Sequence, residues 1–116
     1  MANQLQVTAM MQRTDTTVKF PAVAEEFNTY QHDNYVYTGK IVYKDVHLSG
    51  DKLSKTMIST FSSQEVYDEY KADETVKATT GARDQYCKDN GLTLNLLIQE
   101  LDEAGAPLSS RVVKIA

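Results

Sequence analysis

The hydrophobic periods along this chain predict an α+β fold, with element order β-α-β-β-α-β and one more strand at the C-terminus. Two observations carry that prediction. Strand-like apolar patterns, alternating or apolar on both faces, occur in four stretches, "QLQVTAMMQR", "NYVYTGKIVYKDVHLS", "LSKTMISTF" and "LTLNLLIQEL". Helical spacing interrupts them twice, in "PAVAEEFNTYQHD" and again between Thr60 and Leu92.

In "QLQVTAMMQR", Leu5, Val7, Ala9 and Met11 point one way and Gln4, Gln6, Thr8 and Gln12 the other, the pattern of a half-buried strand. Val18 and Phe20 could extend it until Pro21 stops it. Val23, Phe27 and Tyr30 then recur at helical spacing, with Pro21 near the first turn. The stretch Asn34–Ser49 is rich in Val, Ile and Tyr and reads as one long strand. Tyr35, Tyr37, Ile41 and Tyr43 share one face and Val36, Val42, Val46 and Leu48 the other, with Gly39 as a candidate bulge. "LSGDKL" is a turn, and "LSKTMISTF" returns with Leu53, Met57 and Phe61 on one side.

The Thr60–Leu92 stretch poses a phase problem. Ser62 and Glu65 have capping-box spacing, so a helix is expected from about Ser63. Its apolar residues Val66, Tyr67 and Tyr70 centre on one direction at about 100° per residue, whereas Val76, Thr79, Arg83, Tyr86 and Cys87 centre roughly opposite. One straight helix cannot bury both sets against one sheet. The spacing therefore predicts two helical segments, about Ser63–Lys71 and Glu74–Asp89, with Asp73 capping the second and Asn90-Gly91 stopping it. The competing reading, a short strand at "TVKATT", would leave two very short helices with little to bury. Beyond them come "LTLNLLIQEL", with Leu92, Leu94, Leu96 and Ile98 on one face, a turn at "DEAGAP", and a last strand in "LSSRVVKIA".

This order is the ferredoxin-like pattern with an extra strand, an antiparallel sheet carrying helices on one face. Its 116 residues suit a single domain, 1–116, large enough to bury a core without metals or disulfides. The doubled apolar character of Asn34–Ser49 asks for a second cover on the sheet, and another subunit's sheet would supply it. The net charge of −4, with only sparse basic clusters, argues against nucleic acid as a partner. The lone Cys87 excludes an intrachain disulfide and points to a reducing compartment. No apolar run approaches a membrane span, and the N-terminus lacks the charged and apolar regions of a signal peptide. The expectation is a cytoplasmic protein with no membrane partner.

The hairpin "NYVYTGKIVYKDVHLSGDKLSKTMISTF", the broken helix "SSQEVYDEYKADETVKATTGARDQYCKDNG" and the strand "LTLNLLIQEL" together resemble the dimeric α/β-barrel superfamily, which includes the antibiotic-biosynthesis-monooxygenase-like proteins. The resemblance is one of pattern and covers most of the chain. It implies a homodimer formed sheet to sheet and a pocket between helices and sheet. It implies functions that range from cofactor-free oxygenases, haem degraders and isomerases to proteins without known activity. The chain has no Trp, so it departs from the Asn–Trp–His set of the haem degraders.

No GxGxxG, P-loop, GxSxG or HExxH is present. His32 lies at an expected helix end, where a cation is favourable. Cys87 lies near a helix C-terminus, where the dipole opposes a thiolate, and reads as a packing residue. The tyrosines, seven in all, could stack bases as in RNA-recognition motifs, but those place their aromatics on the first and third strands, and here the stripe reads as core or interface. Arg83 is expected to pair with Glu65, Asp68 or Glu69, or to hold an anion. The candidate ligand pocket is His47, Tyr43 and Arg83 beneath the two helical segments, with His47 as base or donor, Tyr43 as hydroxyl donor and Arg83 as anion clamp. No metal or cofactor is called for. The favoured function is a non-enzymatic homodimeric assembly or small-ligand-binding protein, and the competing one a cofactor-free oxygenase or isomerase.

Overall fold

A computed structural model describes residues 2–116. Its strands are β1 (Leu5–Gln12), β2 (Ile41–Leu48), β3 (Ser54–Phe61), β4 (Thr93–Leu101) and β5 (Pro107–Lys114). Its helices are α1 (Glu25–Gln31), α2 (Gln64–Ala72) and α3 (Glu74–Asn90). The sheet order is β2-β3-β1-β4-β5, every neighbouring pair antiparallel. This is the ferredoxin-like arrangement, with β5 added beyond β4.

The register assigns the two faces. Leu5 and Phe61 are partners, as are Ala9 and Met57 on one side of β1, and Ala9 and Leu96, and Met11 and Leu94, on the other. These residues look toward the helices and build two adjoining core clusters. One gathers Leu5, Phe27, Tyr35, Ile41, Phe61, Tyr67, Val76 and Ile98. The other holds Ala9, Met11, Cys87, Leu92 and Leu94, with Val18 and Phe20 packed against it. Val18 and Phe20 do not extend β1. The Arg13 guanidinium instead lies 4.3 Å from the Phe20 ring centre and donates to the Val18 carbonyl at 2.9 Å, closing the loop over the core edge.

The break between α2 and α3 falls at Asp73, where the backbone turns extended at φ −66°, ψ 123°. Asp73 Oδ1 accepts from the N–H of Thr75 at 2.9 Å and of Val76 at 3.3 Å, so Asp73 caps α3. Gly91, at φ 71°, ends that helix in the left-handed conformation. The cap of α2 is Ser63, whose hydroxyl accepts from the Val66 N–H at 3.1 Å, one residue later than the Ser62–Glu65 spacing suggests. Helix α1 is also shorter than its apolar spacing suggests, and Val23 lies outside it, 39% exposed.

The largest departure concerns the expected strand Asn34–Ser49. Only its second half is a strand. His32–Val36 prolongs α1 as a π-helical turn, and Gly39, at φ +81°, reverses the chain before β2. Polar side chains hold the helical course: Asn34 Nδ2 donates to the Tyr30 carbonyl and Thr38 Oγ1 to the Asn34 carbonyl, each at 2.9 Å. Tyr35, only 4% exposed, packs edge-on against Tyr70 with ring centres 4.8 Å apart. Burying that ring among the helices outweighs the β-propensity of "NYVYT".

Asp73→Ala should lower stability by about 1 kcal/mol or more, the usual worth of an N-cap, whereas Asp73→Asn keeps the cap and should cost less; denaturant melts would check both. Burial raises the Asp73 carboxyl pKa, but hydrogen bonds from Tyr30, Tyr35 and the Val76 and Thr75 N–H groups outweigh it and leave the pKa lowered. A lowered folded pKa means stability present above the ordinary carboxylate value and lost as pH falls through the folded one. Acid melts of the wild type should therefore lose stability below about pH 4 more steeply than those of Asp73→Asn.

Candidate functional site

The three residues expected to border one pocket are not brought together. Partners on β2 and β3 run Ile41 with Phe61, then Tyr43 with Thr60, with a bulge between. The bulge turns Tyr43 to the face opposite Ile41. Tyr43 and His47 consequently lie on the open face of the sheet, away from the helices, while Lys44, Val46 and Leu48 take the helix side. Arg83 is on α3, across the sheet from both. Its guanidinium meets the carboxylate of its neighbour Asp84 at 3.0 Å rather than Glu65, Asp68 or Glu69 of α2. The positive charge of Arg83 instead works locally, against the burial that raises the pKa of Tyr67, Tyr70 and Cys87.

The space beneath the helices is filled. Phe61 stacks between Tyr67 and Tyr70, both ring centres 5.0 Å away, and Val76 and Cys87 close the remaining volume at 1% and 0% exposure. Polar groups do converge nearby. Tyr30 and Tyr35 donate to Asp73 Oδ2 at 2.6 and 2.7 Å. Gln31 Nε2 donates to the Tyr70 hydroxyl at 2.8 Å, and Gln31 Oε1 accepts from the Lys44 ammonium, whose pKa desolvation lowers. Each donor here has its acceptor, so the constellation is a set of satisfied ties between α1, the helix break and β2 rather than open reactive groups. Its residues, Tyr30, Gln31, Tyr35, Lys44, Tyr70 and Asp73, come from separate parts of the chain, and no local spacing advertises their meeting.

Hollows mark the surface beside the helices. A shallow groove of about 580 Å³ runs between α1 and α3 over Phe27, Tyr30, Ala78 and Thr79, with Glu26 and Glu74 at its rim. A cleft of about 200 Å³ opens between Gln64 at the start of α2 and Ser109 and Arg111 on β5. Among the described residues, no three His, Cys, Asp or Glu side chains are grouped to hold a metal ion. His32 Nδ1 lies 2.7 Å from the Asn28 carbonyl, one turn back in α1.

The open face is the more extensive feature. Among the described residues no helix packs on it, and three rows cross it from β2 to β5. The central row is Asp45, Ile58, Thr8, Leu97 and Val112. One flanking row is Tyr43, Thr60, Gln6, Gln99 and Ser110, and the other His47, Thr56, Met10, Asn95 and Lys114. Ile58, Leu97, Val112, Met10 and Tyr43 thus form an apolar band set in Thr, Gln and Asn. Val112 is 62% exposed and Tyr43 50%. Thr8 and Thr60 are buried at 8% and 3% exposure, and Gln6 Nε2 donates to the Thr60 hydroxyl at 3.3 Å. One signal of this band was present in the sequence: Leu97 and Ile58 are apolar residues out of phase with the core alternation of their strands.

No protein-family model and no curated protein matches the chain. Among solved structures, a phage SAM lyase in complex with S-methyl-5'-thioadenosine aligns over 98% of this chain and 92% of that one, with 13% identity and a TM-score of 0.37. At that score the likeness carries no argument about site or substrate. No helix of the described residues is long and apolar enough to cross a membrane.

Two outcomes follow from this chemistry. Burial raises the pKa of the Cys87 thiol, so a thiol reagent should modify the native protein only as fast as it unfolds. The Tyr35 phenol is raised well above the ordinary 10.0, first by burial and then by its hydrogen bond to Asp73. A phenol raised on folding stabilises fully below its unfolded pKa and ceases to do so as pH climbs beyond it. Ultraviolet titration should therefore show one tyrosine fewer ionising only together with alkaline unfolding in Tyr35→Phe than in the wild type.

Proposed function

We propose that this chain is a non-catalytic assembly protein, 1–116 forming one folding unit, which pairs with a second copy of itself through the open face of the sheet. In this it would follow the sheet-to-sheet dimers of the superfamily its sequence pattern resembles. The observation that carries the reading is the band of Ile58, Leu97, Met10 and Val112 on a sheet face that no helix of the described residues covers. An antiparallel sheet tolerates one solvated face when that face is polar; an apolar band across its centre gains by being covered.

The size of the face supports the same reading. Eight-residue strands at about 3.3 Å per residue and five strands about 4.8 Å apart make a face of about 600 Å². Two such faces bury about 1,200 Å², the lower limit of specific, stable interfaces. A cofactor-free oxygenase or isomerase would need a cavity between helices and sheet, where Phe61, Tyr67 and Tyr70 pack against one another.

Light scattering coupled to gel filtration should report about twice the 13.0 kDa chain mass at micromolar concentrations. Leu97→Lys and Ile58→Lys should shift the protein to monomer while leaving its circular dichroism unchanged. A wild-type chain that stays monomeric at high micromolar concentration would sink the reading.

A further inference from the structure

The open face is asymmetric in charge. Asp45 stands at its β2 edge and Lys114 at its β5 edge, and they are the only Asp, Glu, Lys or Arg side chains in the three rows. Neither belongs to an ion pair among the described residues. Two sheets stacked face to face keep their strands nearly aligned, so a two-fold axis between them runs either along the strands or across them. The two choices make opposite demands on these charges.

With the axis across the strands, β2 lies over β2 and β5 over β5. With that axis midway between their two rows, Asp45 lies one row, about 7 Å along the strand, from its own copy near one edge, and Lys114 lies one row from its own copy near the other, so like charges are driven together at both. With the axis along the strands and centred on β1, β2 of each copy lies over β5 of the other. Asp45 then sits one row, about 7 Å along the strand, from the partner's Lys114, and the contact is made twice. The apolar band agrees with this arrangement. Ile58 and Leu97 flank Thr8 symmetrically in the central row, so each Ile58 meets the partner's Leu97 while Thr8 faces its copy on the axis.

We propose, resting on the sheet-to-sheet reading, that the second copy docks about an axis parallel to the strands, with Asp45 of each subunit set against Lys114 of the other. Like-charge juxtaposition costs more than a rim ion pair gains, so the charges act chiefly by rejecting the crossed arrangement. His47, in the same row as Lys114, then lies opposite the partner's Lys114 within the β2–β5 contact rather than in a catalytic pocket.

Charge exchange tests the orientation. Asp45→Lys and Lys114→Glu should each raise the dimer dissociation constant, measured by sedimentation at low salt, by on the order of tenfold. The double variant should return to within about threefold of wild type. Single variants that dimerise as wild type does, or a double variant whose losses add, would overturn the orientation while the dimer itself stands. A short bis-maleimide supplies a second measurement, since the native Cys87 is fully buried. Asp45→Cys with Lys114→Cys should cross-link into a covalent dimer, and Asp45→Cys alone should not. Efficient cross-linking of Asp45→Cys alone would place β2 over β2 and overturn the proposal, and a monomeric wild type would overturn the parent reading as well.

Discussion

One carboxylate holds the helical layer together. Asp73 Oδ1 takes the first free N–H groups of α3, and Oδ2 takes the hydroxyls of Tyr30 and Tyr35 from the other end of the layer. Because its backbone is extended, α2 and α3 meet the sheet with independent phases, which lets Tyr67 on one and Val76 and Cys87 on the other all be buried. Because it anchors Tyr35, the chain leaving α1 continues as a π-helical turn and cannot enter the sheet before Ile41. A charge-assisted acceptor of this kind is worth more than a neutral one, and both ends of the layer depend on it.

The late entry into β2 and the bulge after Ile41 decide what the protein presents to its surroundings. Ile41 is buried at 2% against the helices, but the bulge reverses the sense of the next residues. Tyr43, Asp45 and His47 are delivered to the open face, and Val46 and Leu48 to the helix side, where they stay 56% and 45% exposed. The groups with the most chemical character on β2 therefore belong to a surface and not to a cavity. The aromatic packing of Phe61, Tyr67 and Tyr70 has the complementary effect, for it leaves the helix–sheet layer dense.

The sequence by itself determined the class, the order of the elements, the sheet with helices on one face, the break at Asp73 and the stop at Gly91. These rest on local rules that read directly from residues: period two against period 3.6, a carboxylate before free N–H groups, a glycine where φ is positive. Only the tertiary structure decided the rest. The residues 34–38 carry β-branched and aromatic side chains and read as strand, yet Tyr70 and Asp73, more than thirty positions away, draw Tyr35 into the helical layer. The facing of Tyr43 and His47 was equally illegible, because a bulge of one residue inverts every side chain beyond it and no residue type marks it. Arg83 pairs with its neighbour Asp84 rather than with the acids of α2, a choice that helical spacing does not encode. Periodicity is a property of neighbours in the chain. Which face a strand turns outward, and which charges meet, are set by contacts between residues distant in sequence, and those exist only once the fold has formed.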